Sequence, residues 1–196
     1  SSTNGPNTAV GNQALQNNTI GYDNTAVGRN ALIANTTGIR NAAFGNLTLD
    51  ANTTGNYNSA FGTYALGSNT TASYNTATGY QALYSNTTGA NNTANGYQAL
   101  ESNITGTENV AVGLSALLSN TTGANNVAIG SNTLYFNTAN NNTAVGHHSL
   151  YANTVGSSNV SIGFTSMQRN TTGAGNVATG MNSLRENTTG HHNTAL

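Results

Sequence analysis

The chain has no cysteine, no lysine, a single proline (Pro6) and only 5% charged residues over 196 positions. Each shortage excludes something. With basic side chains confined to Arg29, Arg40, Arg169 and Arg185, no basic patch can neutralise a run of phosphates, so nucleic acid is not an expected partner. Disordered chains are usually rich in charge of one sign, whereas the formal net charge here is −1, which argues against ordinary disorder. No apolar run is long enough to span a membrane. No signal peptide is visible; a mature secreted chain would have lost one. The lack of Cys leaves the redox compartment open. A charge this close to zero favours association over solubility.

What the chain has instead is a repeat. Copies open at Asn7, Asn24, Asn41, Asn58, Asn75, Asn92, Asn109, Asn126, Asn142, Asn159 and Asn176, and Asn193 opens another that is four residues long. The spacing is 17 residues, except for 16 between Asn126 and Asn142. Numbering each copy from its Asn gives slots 1 to 17. Slot 1 is always Asn, slot 3 is Ala except at Ser161, and slot 5 is always Gly. Slot 8 is Ala, Ser or Thr, slot 9 is Leu except at Met167, and slots 12 to 15 read Asn-Thr-Thr-Gly with small departures. The short copy lacks a residue within NTANN (137–141). A deletion is tolerated where a chain turns, so slots 12 to 17 are expected to be turn.

This pattern predicts an all-β fold, a parallel β-solenoid with 17-residue coils. Asn, Thr and Gly are poor helix formers, and no segment keeps apolar residues at helical spacing for three turns. A leucine-rich repeat needs several Leu in each unit. Slots 1–4 are expected to form one strand and slots 7–10 another, with Gly at slots 5 and 15 supplying positive φ or close backbone approach at corners. Asn24, Asn41 and Asn58 at slot 1, and Asn35, Asn52 and Asn69 at slot 12, are expected to stack as amide ladders. Leu32, Leu49 and Leu66 are expected to line up in one dry column. Residues 1–6 would be an incomplete leading coil, 7–192 eleven full coils, and 193–196 the start of a twelfth.

Strand alternation places slots 2 and 4 on one face and slot 3 on the other. Slot 3 accepts almost only Ala, so it either fills a narrow interior or meets another chain closely. The reading preferred here puts slots 2 and 4 inside. Because one Leu and one Val in each coil make a thin core, burial between chains is expected, and with it a homo-oligomer, either a trimer or a head-to-tail filament. Incomplete coils at both ends of the sequence fit stacking of copies or a longer array, since bare coil ends are open strand edges.

NVAVG (109–113), NVAIG (126–130) and NVSIG (159–163) resemble the SVAIG signature of YadA-like heads in trimeric autotransporter adhesins. The longer form NTAVGxxALxxNTTG is similar to repeats of phage-tail-fibre-like bacterial surface proteins. The resemblance covers nearly the whole chain from Asn7. It implies a left-handed β-roll, three chains side by side, and an extracellular rod on a cell surface, secreted fibre or virion. Such a rod carries a binding surface and no catalysis. The longer coil and the constant Leu at slot 9 depart from the YadA-like pattern.

The variable slots are 6, 7, 10, 11, 16 and 17, and they hold every charged residue and every tyrosine. Slot 6 runs Tyr80, Tyr97, Leu114, Ser131, His147, Phe164 and Met181, and slot 10 adds Tyr84, Leu118, Tyr135 and Tyr151. On stacked coils these become apolar stripes, a mark of interfaces. Chain–chain packing is the plainer reading, and a glycan or cell-surface ligand face the sharper one. Asn35, Asn52, Asn69, Asn86, Asn103, Asn120, Asn170 and Asn187 fit the glycosylation pattern, but their slot is explained by the turn alone. His147–His148 and His191–His192 are read as exposed side chains and not as metal ligands, since neighbours on a strand point to opposite faces. No cofactor is expected.

The function expected is a structural and adhesive fibre segment. The alternative is an ice-binding solenoid using Thr rows at slots 13 and 14. Five acidic residues, none repeated at one slot in adjacent coils, make paired-carboxylate cleavage of polysaccharides unlikely on chemical grounds.

Overall fold

The computed structural model describes residues 5–196, so positions 1–4 of the expected leading coil lie outside the described residues. The chain is a parallel β-solenoid. Its single sheet has twelve strands in sequence order, from β1 (Thr8–Val10) to β12 (Thr194–Ala195). Each strand occupies slots 2–4 and pairs in register with the same slots of the next coil, as in Ala77↔Ala94 and Ala94↔Ala111. At about 4.8 Å per strand the sheet runs roughly 53 Å along the axis.

The interior is narrower than expected, and this reverses the preferred orientation of the strand. Slot 3 points inward: Ala26, Ala43, Ala60, Ala77 and Ala94 are fully buried. Slots 2 and 4 point outward, leaving Val10, Phe61, Ile129 and Ile162 exposed. The cause is room. Slot 3 shares the interior with slots 8 and 9, and one Leu already fills it, so two branched or aromatic side chains at slots 2 and 4 do not fit. Ser161, the exception at slot 3, confirms the contact. Its hydroxyl accepts from Ser149 Oγ at 2.7 Å and donates to Ser166 O at 2.9 Å, and both partners are slot-8 residues.

The second expected strand does not form. Slots 7–10 are turn, because slots 7 and 9 hold positive φ in every full coil, as at Gln98 (φ 54°) and Leu100 (φ 53°). A leucine in this region is disfavoured by Cβ sterics. Two things offset the cost. The Leu side chains form one dry column, with Leu32, Leu49, Leu66, Leu83 and Leu100 all fully buried. The twisted backbone also keeps its N–H groups aimed at neighbouring coils. Slot 7 donates to the coil before (Gln98 N to Tyr80 O, 2.9 Å), while slots 9 and 11 donate to the coil after (Leu100 N to Ala116 O, 3.0 Å; Ser102 N to Leu118 O, 3.1 Å). Slots 8, 10 and 12 close short turns within their own coil.

Asn columns stitch the remaining corner. At slot 1 the backbone N–H of Asn41 donates to Asn24 Oδ1 at 2.9 Å. At slot 12 Asn52 Nδ2 donates to Asn35 Oδ1 at 2.9 Å, and Asn69 repeats the bond to Asn52. Both columns converge on one acceptor, the slot-15 carbonyl: Gly55 O takes Nδ2 of Asn41 (2.8 Å) and of Asn52 (3.1 Å). Glycine at slot 5 has positive φ, but at slot 15 it does not. There its role is closeness, since a Cβ on Gly38 would collide with Gly55 O and Asn35 Oδ1. Ala72 takes this slot in one 17-residue coil and keeps both amide bonds, at 2.8 and 3.1 Å.

The 16-residue coil loses slot 14. Ala139 O receives Asn126 Nδ2 and Asn137 Nδ2, as a slot-15 carbonyl does. The deletion thus removes a residue that is exposed in every other full coil. The sheet register passes through unbroken, Val127↔Thr143. The slot-12 column does not: Asn120 Oδ1 is buried without a donor.

Candidate functional site

At slots 6 to 11 the outward residues gather into two ring clusters, apart from the Tyr57–Tyr74 stack at slot 17. In the first, Tyr80 and Tyr97 stack across adjacent coils at 5.4 Å. Tyr64 at slot 7 meets Tyr80 and Tyr84 edge-on at 6.2 and 5.9 Å, linking the slot-6 and slot-10 stripes. Tyr84 has no ring above it at slot 10, because Glu101 follows.

The second cluster is larger. Tyr135 and Tyr151 lie 5.3 Å apart, and Phe136 packs on both at 4.7 and 5.3 Å. His148 meets Tyr151 at 4.7 Å, His147 stacks on His148 at 3.9 Å, and Phe164 stacks on His147 at 5.4 Å. Six rings are therefore continuous. The histidines do not point to opposite faces as a strand would place them, because slots 6 and 7 lie in the turn. Burial, followed by the neighbouring His147, pushes the His148 pKa below the ordinary imidazole range. From Asn109 to Gln168 there is no charged side chain, so that stretch offers no carboxylate to a protonated His148.

Leu114 and Met181 extend the slot-6 stripe and are exposed, while Leu118 at slot 10 is half-buried. Between the stripes runs slot 7, rich in amides and hydroxyls. Gln98 Nε2 donates to Gln81 Oε1 at 3.2 Å and Thr165 Oγ1 to Asn182 Oδ1 at 2.6 Å. The columns bring out His147, which lies in the slot-6 stripe, but not Tyr64, Phe136 or His148. Phe136 and Tyr64 sit one slot away from the stripes, and the turn brings them together.

Two other arrays behave differently from their sequence reading. Most slot-13 threonines spend their hydroxyls on the next coil, as Thr36 Oγ1 does on Thr53 O at 3.0 Å, and Ile104 interrupts the row. Slot 14 is exposed but is broken by Ile20 and Val155 and missing in the short coil. The slot-12 sequon residues Asn35, Asn52, Asn69, Asn86, Asn103, Asn120 and Asn170 are fully buried in the fold.

Among the described residues there is no pocket, no cluster of three or more potential metal ligands, and no helix long and apolar enough to cross a membrane. The fold and its surface define a tandem-repeat β-solenoid with its variable side chains turned outward. Compared with known proteins, the chain matches no family model, no curated sequence and no solved structure.

Proposed function

We propose that the chain is a structural and adhesive segment of an extracellular fibre, with the turn-side ring clusters as its attachment surface. The observation that carries this reading is the division of labour among slots. Repeated residues at slots 1, 3, 9 and 12 are buried in building the coil, as Asn92, Ala94, Leu100 and Asn103 show. The variable ones at slots 6 and 10 stand outside it, as Tyr80, Tyr97 and Phe164 show. A rigid rod whose large and charged substitutions fall on its outside suits presentation better than chemistry on a small substrate. The uncharged stretch around the six-ring cluster fits a neutral surface, such as glycan hydroxyls and pyranose faces, better than an ionic one.

Beads coated with the purified chain should be retained on glycan-bearing surfaces. Tyr80→Ser, Tyr97→Ser and Phe164→Ser together should reduce retention at least tenfold without changing the circular dichroism spectrum. Absence of retention by the unaltered chain on any glycan surface would sink the adhesive reading. Ice binding through slots 13 and 14 has less support, since the slot-13 hydroxyls are already bonded within the rod. Thermal hysteresis in solution would revive it.

A further inference from the structure

The outer face of the sheet presents a different problem. A sheet with one face in water normally alternates apolar inside and polar outside. Here the inside is Ala, and the outside carries Val112, Ile129, Val145 and Ile162 at slot 4 of four successive coils. Slot 2 adds Val110, Val127, Val160 and Val177 nearby. Phe44 and Phe61 stack at 5.0 Å on the same face. No charged residue occupies slot 2 or slot 4 anywhere, and the nearest charges in the slot order lie two positions off, at slot 6 (Arg29) and slot 17 (Asp23, Arg40 and Glu108).

We infer that this face is covered by the sheet face of a second copy of the chain. Three observations choose that occupant. The first is size: eleven steps of about 4.8 Å, by a strand and its flanks about 15 Å wide, give roughly 800 Å², which matches what each partner of a stable interface contributes. The second is period. The face repeats once per coil along its whole length, so another copy matches it at every coil, whereas a partner of different period meets it at a few points. The third is the site of the deletion. The short coil gives up a residue at slot 14, and the strand ladder crosses it in register, so the face keeps one step per coil. Packed sheets lie about 10 Å apart, close enough for the slot-4 side chains of two rods to interdigitate.

The inference does not depend on adhesion, because the ring clusters lie on the turn side and stay open in such an assembly. The test is the mass of the native chain by sedimentation or light scattering at micromolar concentration. A mass of at least twice 19.9 kDa is expected. Ile129→Lys with Ile162→Lys should return the particle to one chain. Ile129→Thr with Ile162→Thr should weaken association at least tenfold, and it is compatible with folding because Thr78 and Thr179 hold the same slot in other coils. Leu114→Lys with Phe164→Lys, on the turn side, should leave the mass unchanged. A wild-type chain of 19.9 kDa would overturn the inference. So would an oligomer that survives the sheet-face lysines, which would place the contact elsewhere. Loss of retention on glycans with an unchanged mass bears only on the attachment surface.

Discussion

On one side of the sixth coil, Ala94 sits in a strand, paired with Ala77 and Ala111 and closed to anything larger. On the other side, Leu100 sits at φ 53° and is equally buried. The strand side is held by a regular ladder and needs little from its side chains beyond smallness inward. The turn side holds its backbone in a costly region and depends on the side chain for compensation. This difference explains where the repeat is strict. Slot 4 varies from Phe to Asn because it points away from the core. Slot 9 admits only Leu and one Met because it fills the core.

The comparison can be broken most severely at the column. Leu100→Ala should destabilise by about 2–5 kcal/mol, through lost burial plus a cavity, measured by urea or thermal unfolding. The opposite error, Ala94→Leu on the strand side, should cost about 1–3 kcal/mol by overpacking. Asn103→Ala removes an amide that donates to Asn86 Oδ1 and Gly106 O and accepts from Asn120. It should also cost about 1–3 kcal/mol, because polar atoms are left buried without partners. Deleting Thr88 copies the natural short coil and should cost only about 1 kcal/mol, the loss of one amide contact between Asn86 and Asn69. A much larger loss would mean that slot 14 has a structural duty the short coil has replaced.

The smallest effect is in pH. The folded His148 resists protonation, so the unfolded chain binds more protons below the ordinary histidine pKa. Stability contributed by the neutral ring is full above about pH 6.5 and declines as pH falls from there toward the depressed folded pKa. His148→Gln should flatten the unfolding midpoint across pH 7 to 5. An unchanged slope would show that the ring pair is not what responds.

Much of this architecture was legible. Exact recurrence of Asn, Gly and Leu announced stacked coils, the Leu column and both amide ladders, because in-register stacking turns a period into a column. The strand's orientation was not legible. Alternation says that slots 2 and 4 share a face, but coil thickness decides which face is inside, and thickness depends on how the other side turns. That turn was read as a second strand because nothing local marks a leucine for positive φ. Slot 17 did carry a signal: Asp23, Asn91, Asn125, Asn141 and Gly175 are residue types that tolerate that region, and all have positive φ. The ring clusters were half legible, by column but not across the corner.

Every bond in the amide columns points the same way. Asn41 gives to Asn24, Asn58 to Asn41, and Asn75 to Asn58, so the later coil is always the donor. Aligned dipoles of this kind reinforce one another, and the rod acquires an arrow. Severed anywhere along its length, it would expose two unlike surfaces at these columns, one with spare Asn Oδ1 acceptors and the other with the N–H donors that fill them, while backbone donors face both ways. Only unlike ends match column to column, so the amide columns would let fragments rejoin in a single sense.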